Sequence, residues 1–151
     1  MRMTRLPQTI DVNGIDLERS DAPEDIACWS GMFDGGEITL LVEPAAEPSA
    51  QALDAAAGAI ADFDALRSVA EQFLVAELAG DSWGLAADQR ALLARQPAPF
   101  DVPEVVVWQD GTWMIRFTES PLAMAEEYGV GVLFAGRTPV SVEDLSDADE
   151  A

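Results

Sequence analysis

Three dipeptides that favour tight turns are the strongest constraint on the fold of this chain. Asn13-Gly14, Gly35-Gly36 and Asp110-Gly111 each lie between two segments rich in apolar, β-branched or aromatic residues. Such segments are typical of strands, and a turn dipeptide between two of them indicates a β-hairpin. The sequence therefore predicts a largely antiparallel sheet built from hairpins.

The first turn predicts a register if its loop contains only Asn13 and Gly14. Val12 then pairs with Ile15 on one face. Asp11 lies opposite Asp16, a like-charge pair that is unfavourable unless solvent or a cation separates the carboxylates.

The second hairpin spans residues 29–43, and the sequence predicts Gly35-Gly36 as its turn. This register makes Asp34 face Glu37, another pair of like charges. The predicted core face of this hairpin carries Trp29, Gly31, Phe33, Ile38, Leu40 and Val42.

The third hairpin contains two tryptophans, and a two-residue loop at Asp110-Gly111 makes Trp108 and Trp113 a cross-strand pair. Such a pair stabilises a hairpin by up to about 1 kcal/mol relative to alanines. The residues predicted to share the face of this pair are Val106, Ile115 and Phe117. The opposite face carries Val105, Val107 and Met114 and is also predicted to be partly covered, so this hairpin is expected to lie centrally in the sheet.

A helical block separates the second and third hairpins. Ser49 is the predicted N-cap, apolar residues recur at helical spacing up to Ala79, and Gly80 is a natural stop. The sequence leaves open whether this is one helix or two, broken near Asp62. The remaining predicted elements are helices over 85–95 and 122–128 and strands over 130–135 and 139–143.

Together these elements predict a two-layer α+β domain in which the helices pack on one face of a largely antiparallel sheet. We expect residues 1–145 to form this single domain. Residues 146–151 are expected to form an acidic, frayed C-terminal tail.

The ionisable residues exclude several kinds of chemistry. The chain has 28 acidic residues, eight arginines, no lysine and no histidine, and its formal net charge is −20. Imidazole catalysis, imidazole metal ligation and lysine Schiff bases are therefore excluded. The lone Cys28 has no partner for an intrachain disulfide or a thiolate cluster. We expect no cofactor, no bound metal and no enzymatic activity.

The net charge also predicts the kind of partner. It repels nucleic-acid phosphates and anionic membranes, whereas it attracts a basic protein and accelerates the encounter with it. No secretory signal and no apolar run of about 18 residues is visible, so a cytoplasmic location is expected. A homo-oligomer is compatible with the sequence.

The acidic residues are unevenly distributed, since no basic residue occurs between Arg19 and Arg67. The acids that we predict to face a partner are Asp21, Glu24, Asp25, Asp34 and Glu37. Trp83 fits no apolar stripe. Two interpretations of it stay open: a cap over the end of the core, or an exposed anchor in an interface.

The elements follow one another as two hairpins, a helical block, a third hairpin, a short helix and two strands. The third hairpin is centred on Trp108-Gln109-Asp110-Gly111-Thr112-Trp113, and the folded part ends in Pro139-Val140-Ser141-Val142-Glu143-Asp144-Leu145. In this order and style the chain resembles small, acidic, uncharacterised bacterial proteins, including immunity proteins of polymorphic toxin systems. The resemblance spans most of the chain, contains no diagnostic motif and implies a cytoplasmic protein that occludes a basic toxin domain.

Two other functions stay open at this point. One is a housekeeping or oligomeric domain whose acidity serves only solubility. The other is a nucleic-acid mimic whose carboxylates stand in for phosphates.

Overall fold

The computed structural model describes residues 6–20, 25–80, 83–95, 98–125 and 129–144. Eight strands of this part form one sheet: β1 Thr9–Val12, β2 Ile15–Ser20, β3 Ala27–Phe33, β4 Gly36–Val42, β5 Asp101–Trp108, β6 Trp113–Glu119, β7 Val130–Ala135 and β8 Thr138–Asp144. Three helices lie between β4 and β5: α1 Ala50–Ala61, α2 Phe63–Leu78 and α3 Ala87–Leu92. None of the helices in the described ranges is long and apolar enough to cross a membrane.

The strands are neighbours in chain order, from β1 to β8. Every neighbouring pair is antiparallel except β4 and β5, which run parallel. The parallel pair needs a long crossover connection, and the helical block provides it. The predicted α+β fold with a largely antiparallel sheet is confirmed, and the third hairpin is central as expected.

The first hairpin has the predicted register. Val12 pairs with Ile15 and Asp11 with Asp16. Asn13 and Gly14 both have positive φ, 52° and 82°, which matches the twist that a two-residue turn needs between paired strands.

The predicted turn of the second hairpin is wrong by one residue. Phe33 pairs with Gly36 and Met32 with Glu37, so the turn consists of Asp34-Gly35 and Asp34 does not face Glu37. The register therefore moves by two residues, which keeps every side chain on its predicted face.

Gly36 belongs to the strand because β5 passes close to it. A Cβ at this position would lie 2.4 Å from the carbonyl oxygen of Pro103, and the φ of Gly36 is +137°. This glycine is therefore used for the approach of a distant strand and not for the turn.

The predicted pairing of Trp108 with Trp113 is also wrong. Trp113 pairs with Val107, and the Trp108 N–H donates to the Thr112 carbonyl oxygen at 3.0 Å. The loop therefore has three residues, 109–111, and its last residue, Gly111, has φ +89°. A three-residue loop with a left-handed glycine is a common alternative to the two-residue turn.

This longer loop places Trp108 and Trp113 on opposite faces of the sheet. The face that carries Trp113 also carries Ile115 and Phe117, as predicted, but Val105 and Val107 join them. Val106 and Met114 share the other face with Trp108.

The helical block begins and divides largely as the sequence suggests. The Ser49 hydroxyl accepts from the Ala52 N–H at 3.0 Å and caps α1, and α1 and α2 meet at Asp62. Helix α2 ends at Leu78, just before Gly80. Helix α3 is shorter than the predicted 85–95. The predicted helix over 122–128 is a 3-10 turn over Ala123–Ala125, and its predicted end lies outside the described residues, as does the predicted tail 146–151.

We call the face of Trp113 the inner face, because its side chains form one core with the buried side of the helices. Helix α1 contacts β1, β4 and β5, whereas α2 contacts β7 and β8. The fully buried side chains with the largest volume are Trp29, Trp113, Phe117 and Phe134. Both indoles are satisfied, since the Trp29 Nε1–H donates to the Pro7 carbonyl at 2.9 Å and that of Trp113 to Gly136 at 2.8 Å.

Candidate protein-binding face

The acidic residues predicted to face a partner that the structure describes, Asp25, Asp34 and Glu37, do not form one cluster. Asp25 precedes β3 and Asp34 follows it, so this seven-residue strand lies between them, a length of about 23 Å at about 3.3 Å per residue. Glu37 is exposed on β4, whereas Asp21 and Glu24 lie outside the described residues. Asp25 and Asp34 thus do not share one patch.

Trp83 lies half-buried against the hydrophobic core. This position fits the interpretation of Trp83 as a cap over the end of the core. It does not present the ring as a freely exposed anchor.

The outer face of the sheet, opposite the inner face, brings together residues from most of the strands. One row of register partners crosses four strands as Thr39, Val106, Met114 and Leu133. The adjacent row contains Cys28, Leu41 and Trp108. We call the apolar members of these rows the outer patch: Cys28, Leu41, Val106, Trp108, Met114 and Leu133.

The outer patch is separate from the core. None of its members belongs to the core cluster that joins the inner face to the helices. Five of them are half-buried, Met114 is 7% exposed, and Met32 at the border of the patch is 68% exposed. Among the described residues the patch therefore presents partly exposed apolar surface on a sheet that already has a core.

A charged row borders the outer patch. Register partners place Glu37, Glu104 and Arg116 side by side on β4, β5 and β6, and Glu143 follows on β8 beyond Gly131. Arg116 Nη1 lies 2.9 Å from Glu104 Oε1, with side chains 30% and 24% exposed. The outer face also carries three acids on β1 and β2: Asp11, Asp16 and Glu18. Its strand residues thus include six acids and one arginine.

Gly131 leaves room for the Met114 side chain to lie against the neighbouring strand. A Cβ at Gly131 would stand 2.5 Å from the Met114 sulfur and 3.0 Å from its Cγ. The thioether occupies that space, which explains why Met114 is the most buried member of the patch. A flexible methionine is well suited to fill an irregular apolar surface.

The turn after Trp108 holds this tryptophan on the outer face. The Asp110 carboxylate accepts from the Thr112 hydroxyl at 2.6 Å and from the Thr112 N–H at 3.0 Å. These hydrogen bonds, the one from the hydroxyl first, lower the pKa of Asp110 below its ordinary value. The carboxylate thereby stabilises the three-residue loop that separates Trp108 from Trp113.

The same turn is tied to the start of α1. The Gln109 side-chain oxygen accepts from the Ser49 N–H at 2.7 Å, and its amide nitrogen donates to the Glu47 carbonyl at 3.0 Å. The Ser49 hydroxyl donates to the Gln109 carbonyl at 2.7 Å. Trp108 therefore sits beside a turn that three hydrogen bonds hold to the start of α1.

Two open clefts lie away from the outer face. One of about 500 Å³ is lined by both arginines and acids: Arg67, Arg95, Glu71, Asp101 and Glu119. Arg67 contacts Glu71 at 3.1 Å and lies over the ring of Phe117. The other, of about 400 Å³, is bordered by three acids, Asp34, Asp62 and Asp64. Within the described ranges no group of three or more Cys, Asp or Glu residues is arranged to hold a metal ion.

The chain matches no protein-family model, no curated protein and no solved structure. Its function must therefore be argued from its own surfaces.

Sequence reasoning missed Trp108 as a surface residue, because a two-residue loop placed it on the core face. The signal that could have found it is the spacing of Asp110 and Thr112. An aspartate two residues before a threonine accepts from its N–H and favours an Asx turn.

Proposed function

We propose that this protein is a non-catalytic binding domain that recognises a basic protein through the outer face of its sheet. The observation that carries the proposal is the composition of that face, whose described strand residues include an apolar patch, six acids and one arginine. Acidic surface steers a basic partner into an encounter and excludes acidic competitors.

The arrangement of layers supports this proposal. The buried residues of α1 and α2 belong to one core with the inner face, and no outer-patch residue belongs to that core. We propose that the helices cover only the inner face and that the outer face is free to bind a partner. We also propose that the protein acts in the cytoplasm of a bacterium. The particular form that the resemblance suggests is an immunity protein that neutralises a basic toxin domain.

The residue inventory supports a non-catalytic role. The chain contains no imidazole and no amine side chain to act as a general base or nucleophile, and these are frequent choices for such chemistry. Cys28 lies half-buried within the outer patch, where a small apolar contact suffices as its role.

A charge-neutralising comparison tests the proposal. The partner is first captured from a lysate of the source organism at about 0.1 M salt and identified, together with any toxin gene next to that of this protein. Its association rate is then measured with two variants that each lose four negative charges. The outer-face variant is Asp11→Asn, Asp16→Asn, Glu18→Gln and Glu37→Gln. The matched control changes four exposed acids elsewhere: Glu47→Gln, Asp54→Asn, Glu77→Gln and Asp88→Asn.

We expect the outer-face variant to associate about tenfold more slowly than the control, with little change in dissociation, as is usual for charges at the rim of an interface. The wild-type rate should fall as salt shortens the screening length from about 10 Å at 0.1 M to about 3 Å at 1 M. An association rate that is insensitive to salt and equal in both variants would leave solubility as the role of the acids.

A further inference from the structure

We infer that the outer patch, with Trp108 as its anchor, is the docking surface itself, and that the partner presents apolar side chains flanked by arginine or lysine. This inference rests on the proposed function and adds to it, because steering by acids alone requires no apolar contact. The expected partner is a basic protein segment with one apolar face.

Trp108 has apolar neighbours on the outer face. Leu41 is its register partner on β4, and Cys28 lies next to Leu41 on β3. Val106 and Met114 form the adjacent row. A half-buried tryptophan within a continuous apolar surface is the kind of residue on which binding energy concentrates, particularly near the centre of an interface.

Folding alone does not require this apolar surface. The inner face already buries its side chains against the helices, and an antiparallel sheet with one solvated face ordinarily alternates to polar residues there. Ser30 and Thr39 follow that rule, and their hydroxyls lie 3.0 Å apart. The strands from β4 to β7 depart from it with Leu41, Val106, Trp108, Met114 and Leu133.

The charged residues beside the outer patch complement a basic partner. The row of Glu37, Glu104, Arg116 and Glu143 borders the patch on one side, and the single arginine is already within 2.9 Å of Glu104. A partner with basic residues beside its apolar ones therefore meets a row that holds three carboxylates and one arginine. A second copy of this chain is a poor occupant, because it would bring the same excess of acids against this one.

The experiment uses two synthetic peptides of about 18 residues, long enough to form a helix, with identical arginine and leucine content. In the first peptide the leucines recur at helical spacing and form one apolar face; in the second the order is scrambled. Binding is measured with the full chain carrying Trp83→Phe. This change leaves Trp108 as the one half-buried tryptophan, since Trp29 and Trp113 are 0% and 2% exposed.

We expect the amphipathic peptide to bind about tenfold more tightly than the scrambled one and to shield Trp108 from quenching by acrylamide. Trp108→Ser should remove that tenfold preference. Val69→Ser is the control, because Val69 is an exposed apolar residue on α2, 36% exposed and outside the outer face. It should leave the preference unchanged. If Trp108→Ser does not fold, the shielding measured with Trp83→Phe decides the question.

Three results would overturn the inference. Equal binding of both peptides without shielding of Trp108 would show that charge acts alone, and the proposed function would survive. Binding of neither peptide at about 0.1 M salt would contradict both proposals. Sedimentation of the unmodified chain as a dimer that Trp108→Ser dissociates would identify a second copy as the occupant of the patch.

Discussion

The same strands form both faces of the sheet, but the side chains of the two faces differ in burial and in their contact with the core. On the inner face, Trp29, Trp113 and Phe134 are fully buried, and the rings of Trp113 and Phe134 stack with their centroids 4.4 Å apart. On the outer face, Trp108 is only half-buried and lies in an apolar patch outside the core.

Folding explains why the inner-face residues are apolar, but it does not explain why the outer-patch residues are. Burial of large apolar side chains is the main favourable contribution to folding, so the composition of the inner face needs no further cause. The outer patch lies outside the core, beside a row of charged residues, and exposed apolar patches on folded proteins often mark interaction sites. The outer face is therefore where function is best sought.

The largest expected effect compares the two tryptophans of the third hairpin. Trp113→Ala removes a ring that is 2% exposed and stacked on Phe134, and we expect it to lower the free energy of unfolding by about 3–5 kcal/mol. Trp108→Ala should cost about 1 kcal/mol or less, as is usual near a surface. Urea unfolding followed by circular dichroism measures both. Equal losses would show that the outer patch is a second core and would end the distinction between the faces.

A smaller effect compares two glycines, one on each face. A Cβ at Gly31 would lie 2.6 Å from the Asp16 carbonyl oxygen, whereas at Gly131 it would meet mainly the flexible end of Met114. We expect Gly31→Ala to cost about 2–3 kcal/mol, since backbone cannot yield as a side chain can. Gly131→Ala should cost below about 1 kcal/mol, because Met114 can turn away. Thermal unfolding of the two variants tests this, and a larger loss at Gly131 would show that the outer face is rigidly packed.

The smallest effect concerns the turn that assigns Trp108 and Trp113 to opposite faces. Hydrogen bonds from Thr112 lower the pKa of Asp110 in the folded protein. The ionised carboxylate therefore adds stability above its unfolded pKa of about 3.9. This contribution is lost as pH falls through the lower, folded pKa.

Asp110→Asn supplies the comparison, because its amide oxygen can still accept but does not titrate. The advantage of the wild type over this variant should be a few tenths of a kcal/mol at pH 7, since the carboxylate is exposed and solvent screens it. It should shrink as pH falls below about 3.9, through the lowered pKa of the folded carboxylate. Unfolding measured from pH 2 to pH 7 tests this, and an advantage that grows on acidification would contradict the assignment.

The sequence predicted a hairpin register correctly where the turn depended only on its own two residues. Asn13-Gly14 gave the correct register because both residues adopt the left-handed conformation that a two-residue loop requires. The Ser49 cap and the strand Val130–Ala135 were likewise predicted from short segments.

The predicted turns were wrong where the turn depended on a side-chain hydrogen bond or on backbone from a distant part of the chain. Gly36 is needed for the approach of Pro103, which lies far along the chain. Asp110 lengthens its loop by binding Thr112, and this one added residue moved Trp108 to the other face. The candidate site was therefore only partly predictable: its acidity was visible in the composition, but its apolar patch depended on the register of β5 and β6.

The parallel pairing of β4 and β5 has a consequence for how the chain assembles. It divides the sheet into two four-stranded meanders, each of which closes through short connections. Joining them closes residues 43–100 into one loop, and the length-dependent entropy of that closure is on the order of 3–4 kcal/mol. The outer patch straddles this joint, with Leu41 on one meander and Trp108 on the other. Each meander is held by local contacts, whereas the surface proposed to bind a partner is complete only once the two meanders join through non-local contacts.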